Sequence, residues 1–324
     1  MGTMRLVLDT CGRGPTAEVG VGRLGELLRD RENRLWLDIT DPGAAEVAFL
    51  RESFGFHELA LEDMVRPHER PRCDAYAGYY FIVLYAAERA GDAIVPREVN
   101  FFWGENYLVT IHRGSATAVA ALAHARRRWE QHERFQSDGI ACLVCTLFES
   151  LVAGYFAVQD QVREQLEGIE HSIFTGAEGA AADLFRLRKE LLRVPRLLEP
   201  TSHVLAEVLR RDRMVPEGLK PYFADVQDHT LHVLAELDTY RDLLGAALDV
   251  HVFSAFNRLG LIMQRLTAIT VIIMVPNFVA SIYGMNFVHL YPPSGATWGF
   301  LAVAAFLLIM VIWGFIHSRM LGWL

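Results

Sequence analysis

The chain has 324 residues, 31 of them basic and 39 acidic, for a formal net charge of −8, and 52% of its residues are hydrophobic. An acidic balance without a long Lys/Arg block argues against nucleic-acid binding, and four cysteines (Cys11, Cys73, Cys142, Cys145) in so long a chain do not suggest a disulfide scaffold. No Asp, Glu, Lys or Arg falls between Leu266 and Ser318, a stretch of 53 residues, which argues against both a purely soluble protein and a multi-span carrier and points to a large cytosolic body with a small C-terminal membrane anchor or pore.

Residues 1–135 read as a cytosolic α/β domain, with no secretory signal at the start. RLWLDIT (34–40) has strand character and ends at the turn DPG, and AEVAFLRESFGF (45–56) reads as a helix. YYFIVLYAAE (79–88) and VNFFWGENYLVTIH (99–112) are β-branched and aromatic runs, the second broken by GEN. Together they predict a small sheet flanked by helices.

Residues 136–221 read as an antiparallel helical hairpin. Apolar residues recur at three and four from 138 to 170 without a proline, TGAEGA (175–180) breaks the run, and a second helix returns from 181 to about 213. Pro195 and Pro200 are expected to kink or interrupt it, and VPEGLKP (215–221) is a turn. Cys142 and Cys145 form a CxxC, a spacing shared by zinc and redox sites; with no second CxxC and no His pair nearby, two small apolar residues on one helix face is the favoured reading.

From 222 to 283 the only breakers are Gly245, Gly260 and Pro276, which predicts one very long helix. Its first part, a stalk over 222–265, is polar and acidic; its second enters the uncharged zone. LTAITVIIMVPNFVASIY belongs to a first span with its exit motif (266–286), and WGFLAVAAFLLIMVIWGFI to a second (298–317), joined by a short uncharged loop (287–297) and followed by a tail (318–324). Arg258 and Arg265 before the first span and Arg319 after the second, with no Lys or Arg between, predict cytosolic ends and an outward loop.

The two spans differ. The second is uniformly apolar, whereas Thr267, Thr270, Met274, Asn277 and Ser281 recur in the first at spacings of 3, 4, 3 and 4, one stripe of a helix. A polar stripe in a bilayer must meet protein or water. Two readings stand: hydrogen-bonding contacts between helices, or a pore wall. Two spans cannot enclose a pore, so the second reading requires a ring of identical chains.

At the exit of the first span stand Tyr283, Gly284, Met285, Asn286 and Phe287, the run YGMNF. In this position, after a long helix and before a second span, it resembles the signature of the CorA family of divalent-cation channels. RLGLIMQRLT (258–267), YFADVQDHT (222–230), RDLLGAALDV (241–250) and LEDMVRPHERPR (61–72) are similar to the family's membrane approach, stalk and N-terminal domain. The resemblance implies a homopentameric funnel in the lipid bilayer: an N-terminal α/β domain, a long antiparallel helical hairpin, a long stalk helix and two C-terminal transmembrane helices, the first lining the pore.

The resemblance also implies roles. Gly284, Met285 and Asn286 would form the selectivity filter, with Gly284 permitting the turn at the helix end and Asn286 offering a ring of amide oxygens to hydrated Mg²⁺. Asn277, where many relatives place a pore-facing Thr, would add a second oxygen ring beside Thr270, and Met274, Leu266 and Met263 would form apolar constrictions. Asp63, with Glu62 nearby, would pair with Asp225 of a neighbouring copy through a regulatory Mg²⁺ that holds the channel shut. Mg²⁺ is thus both cargo and regulator, and no organic cofactor is implied. The chain departs from the family's pattern at Gly260, where many relatives carry Asn, and in its loop VHLYPPSG, which lacks the acids many relatives have there. His289 in that loop leaves room for a borderline metal.

The expected function is therefore influx of Mg²⁺, with Co²⁺ or Ni²⁺ as further cargo, driven by membrane potential through the prokaryotic plasma or inner membrane. A CorA-like Zn²⁺/Ni²⁺/Co²⁺ transporter of the ZntB type is the alternative within the class. From another class, a membrane-tethered enzyme or sensor finds no Walker loop, GxSxG, HExxH or Rossmann glycine pattern in the first 135 residues.

Overall fold

A computed structural model describes residues 3–10, 15–16, 20–66, 70–90, 93–131, 139–175, 179–211, 215–285 and 297–323. The chain divides into two compact units, residues 1–245 and 246–324.

The first unit is built on a seven-stranded sheet. Its strands are β1 (Thr3–Thr10), β2 (Pro15–Thr16), β3 (Asn33–Thr40), β4 (Arg72–Tyr76), β5 (Tyr79–Ala90), β6 (Ala93–Gly104) and β7 (Tyr107–His112), in the order β2-β1-β3-β7-β6-β5-β4. Among the described strand pairs only β3–β7 is parallel. Successive strand residues face opposite sides, and three consecutive aromatics of β6 show it. Phe101 packs edge-on against Phe148 at 5.5 Å and Trp103 stacks on Phe223 at 6.2 Å. Phe102, between them, stacks on Phe56 at 4.2 Å on the other side.

Helices cover both faces. Leu24 of α1 (Leu24–Leu27), Leu50 of α2 (Ala44–Phe54) and Ala60, Leu61 and Met64 of α3 (Glu58–Val65) share the Phe102 face. On the Phe101 face lie α4 (Ala116–Gln131), α5 (Ile140–Thr175), α7 (Pro195–Arg210) and the first turns of α8 (Lys220–Tyr283). Burial on both sides explains why YYFIVLYAA reads as a continuous apolar run rather than an alternating one. The β3, β5–β7 and α2 segments match the sequence expectation. Strand β1, the edge strands β2 and β4, and helices α1, α3 and α4 are additions to it.

Helix α5 and α6 (Ala180–Leu191) form the expected hairpin, with Gln165, Ile169 and Ser172 of one beside Glu190, Leu187 and Asp183 of the other. The chain breaks before Pro195, which opens α7 as its first residue, a position where the missing N–H costs nothing. Pro200, in contrast, lies inside α7 without ending it. An interior proline costs about 3 kcal/mol. Leu197, Leu198, Val204, Leu205 and Val208 are all buried along α7, at about 1.5–3 kcal/mol each, and outweigh it.

The second unit comprises the remainder of α8 and α9 (Thr297–Met320). Among the described residues, three helices are long and apolar enough to cross a membrane: Ile140–Ile173, Glu217–Tyr283 and Trp298–Met320. In the first, 61% of the apolar window is buried in protein, so its hydrophobicity belongs to the core; in the other two the share is 6%. Where α9 meets α8, Gly314 lets Ile272 come so close that a Cβ on the glycine would lie 3.3 Å from Ile272 Cγ1. A small residue permitting close approach is typical of helix pairs in lipid.

Candidate functional site

The segment of α8 from 263 to 283 has two distinct faces. Its unexposed residues are Gln264, Ala268, Ile272, Pro276, Val279 and Tyr283. Ala268, Ile272 and Pro276 border the same small cavity as Trp313, Gly314 and Ser318 of α9. Thr267, Thr270, Met274, Asn277 and Ser281 are all exposed, and at about 100° per residue their stripe points roughly 180° away from the α9 side. Met263 and Leu266 are exposed as well. The polar stripe therefore takes no part in the contact between the two apolar helices of one chain. Thr267 Oγ1 donates to the Met263 carbonyl and Thr270 Oγ1 to the Leu266 carbonyl, each at 2.8 Å.

Helix α8 tightens as it ends. The Gly284 N–H donates to the Ala280 carbonyl at 3.0 Å and the Ser281 carbonyl at 3.1 Å, and the Met285 N–H to the Ile282 carbonyl at 3.2 Å. The φ of Gly284 lies outside the left-handed region, and the extra i→i−3 bonds close the last turn. Met285 is exposed. The helix end concentrates partial negative charge, which favours a cation. Asn286 and loop residues 287–296, His289 among them, lie outside the described residues.

Of the expected regulatory carboxylates, Glu62 and Asp63 sit on α3 and Asp225 on α8. Glu62 pairs with Arg66 one turn on, at 2.7 Å. Asp63 is bonded by Arg72 Nη2, from the strand that follows. Arg72 Nε lies 3.3 Å from Asp74, and its guanidinium lies over the Phe81 ring. The exposed Asp225 lies 3.9 Å from His229 Nε2. Sequence reasoning missed Arg72 as the partner of Asp63, since only the packing of β4 beside α3 brings them together.

Further along the stalk, Asp225, His229, His232 and Glu236 recur at spacings of 4, 3 and 4 but fall into separate pairs. His232 Nε2 lies 3.2 Å from Glu236, Glu236 also accepts from Gln159, and His229 packs edge-on against Phe156. Among the described residues no three His, Cys, Asp or Glu side chains are grouped to hold a metal. Cys145 is buried in the core, where burial pushes its thiol up to about 12. Such a thiol is a packing residue, as the favoured reading of the CxxC has it.

Residues 32–318 match the family model described as CorA-like Mg²⁺ transporter protein. The chain belongs to the CorA family. It is a divalent-cation transporter of that family, and its relatives agree. It is 31% identical over 294 residues to YfjQ of Bacillus subtilis, covering 89% of each chain. It is 26% identical over 303 residues to the cobalt/magnesium transport protein CorA of Thermotoga maritima, covering 91% of this chain and 85% of that one. The complete structure of the CorA magnesium transporter from Methanocaldococcus jannaschii superposes with a TM-score of 0.83 at 22% identity, over 98% of both chains. The CorA fold thus extends over the whole chain, the sheet domain and the C-terminal apolar helices included.

Proposed function

We propose that identical copies of this chain, five by family resemblance, gather about an axis with α8 innermost and conduct hydrated divalent cations inward, Mg²⁺ above others. The observation that carries this reading is the orientation of the stripe. Thr267, Thr270, Asn277 and Ser281 are exposed on the side of α8 away from α9, so their polar groups require an environment that one chain does not supply. A water-filled axis supplies it.

Mg²⁺ sheds its water reluctantly. Neutral oxygens of Asn286, Asn277 and Thr270 bind it through its hydration shell and release it readily, where a ring of carboxylates would hold it. Met274, Leu266 and Met263 form the apolar constrictions. The membrane potential drives entry with about 4.6 kcal/mol per 100 mV for a double charge. Both termini are cytosolic, with the loop outside. Asp63 and Glu62 of one copy and Asp225 of the next hold a regulatory Mg²⁺ that closes the channel when internal Mg²⁺ is high.

Proteoliposome flux tests this reading, with Mg²⁺, Co²⁺, Ni²⁺ and Zn²⁺ compared under imposed voltage and pH gradients. Voltage-driven Mg²⁺ entry is expected. Entry of Zn²⁺ alone, coupled to the pH gradient, would replace it with the ZntB type of transport, and no flux of any ion would leave the spans as anchors.

A further inference from the structure

A cavity of about 520 Å³ opens between one end of the sheet and α4 in the first unit, within the range of about 300–1,000 Å³ that small-molecule sites occupy. Strand register makes its floor. Thr3 stands opposite Thr40, Arg5 opposite Asp38 and Val7 opposite Trp36, so alternate residues of β1 and β3 share one face. In the parallel pair, His112 adjoins Thr40 and Thr110 adjoins Asp38. The floor therefore runs from apolar, at Val7 and Trp36, to polar, at Thr3, Thr40 and His112.

Buried and half-buried hydrogen bonds hold this floor in place. Trp36 Nε1 donates to Thr110 Oγ1 at 2.9 Å, and Thr110 Oγ1 donates to Asp38 Oδ1 at 2.6 Å. The buried His112 lies with Nε2 3.2 Å from Thr40 Oγ1, and its Nδ1 has no hydrogen-bond partner among the described residues. Over the floor, α4 presents Arg126 and Arg127. With Arg5 that makes three guanidinium groups against the one lining carboxylate, Asp38, in a chain whose net charge is −8. Arg126 shares its charge with Glu130 at 3.0 Å; Arg127 is exposed and has no ion pair among the described residues.

We propose that this cavity binds a small organic polyanion, its phosphate or carboxylate groups held by Arg5, Arg126 and Arg127 and its hydroxyl or amino groups by Thr40, Asp38 and His112. Guanidinium forks match both acid groups bidentately. A concave surface in which positive charge outnumbers negative concentrates such an ion, and the apolar end at Val7 and Trp36 accommodates a carbon skeleton. The site is independent of the conduction reading, since none of its residues lies on α8.

Isothermal titration of the full chain in detergent, with ATP, citrate and inorganic phosphate, each with and without equimolar Mg²⁺, tests the proposal. At least one probe is expected to bind saturably with a dissociation constant of about 1 mM or tighter. Arg127→Glu and Arg5→Ala, both at exposed positions, should each weaken it about tenfold or more, while the distant Arg210→Glu leaves it unchanged. Preference for ATP assigns a nucleoside phosphate, preference for citrate a polycarboxylate, and equal binding of phosphate the acid group alone. Absence of saturation with all three probes up to about 10 mM, wild-type affinity in both cavity variants, or equal weakening by Arg210→Glu overturns the proposal.

Discussion

Arg72 and Asp63 form an ion pair between β4 and α3. The carboxylate proposed to sense Mg²⁺ therefore already holds a cation of its own chain, so a divalent ion must displace or share with the guanidinium. Arg72→Gln is expected to lower the Mg²⁺ concentration that half-protects the closed state from proteolysis. Both side chains are about one-third exposed, and solvent screening limits the effect to about three- to tenfold. Asp63→Asn combined with Asp225→Asn should remove the protection. Unchanged protection in both variants would detach these residues from gating.

On the proposed pore face, Asn277→Leu replaces an amide with an apolar group at an exposed position of α8. Cation flux into proteoliposomes should fall about tenfold or more, with assembly unchanged on size exclusion, because a hydrated ion loses one ring of oxygen partners. Flux equal to wild type would place Asn277 off the conduction path. Asn286→Ala is expected to abolish flux or broaden its selectivity.

Gly314→Val tests the contact between α8 and α9. The added side chain meets Ile272 at a position where even a Cβ lies 3.3 Å away. Overpacking of this kind costs about 1–3 kcal/mol, so the melting temperature in detergent should drop. Ile272→Ala in the same chain should restore part of the loss by making room.

Alkaline stability follows from the buried thiol of Cys145 and the half-buried thiol of Cys73. Burial, before the smaller effect of the neighbouring Cys142, raises Cys145 from 9.0 to about 12, and Cys73 is pushed up to about 12 for the same principal reason. Between those limits the unfolded chain releases protons that the folded chain retains. The contribution is intact below pH 9 and is lost as pH rises toward 12, by up to about 1.4 kcal/mol per pH unit for each thiol. Melting temperatures measured from pH 8 to pH 11 should decline, and Cys145→Ala should make the decline shallower.

The parts of the fold legible in the sequence are those whose pattern is self-sufficient. The β5 and β6 runs are apolar over most of their length, α8 has few breakers in its 64 residues, and YGMNF carries its meaning through position. β1 and α4 were not legible. β1 is eight residues of modest alternation near the start. α4 buries small alanines, Ala118, Ala121 and Ala125, among arginines, so its apolar stripe is faint. The expected filter residues are legible as a motif, whereas the Arg72 contact and the cavity under α4 depend on strand order. That order sets Arg5, Asp38 and Thr110 side by side although 33 or more positions separate them in the chain.

Thr267 and Thr270 each commit their one hydroxyl proton to a carbonyl of their own helix. What these side chains offer outward is therefore lone pairs alone. If the proposed pore runs along this stripe, these two hydroxyls meet a metal ion's bound water as acceptors and keep no proton to donate to chloride. Along the proposed conduction path, these two threonine rings would favour cations over anions while carrying no formal charge.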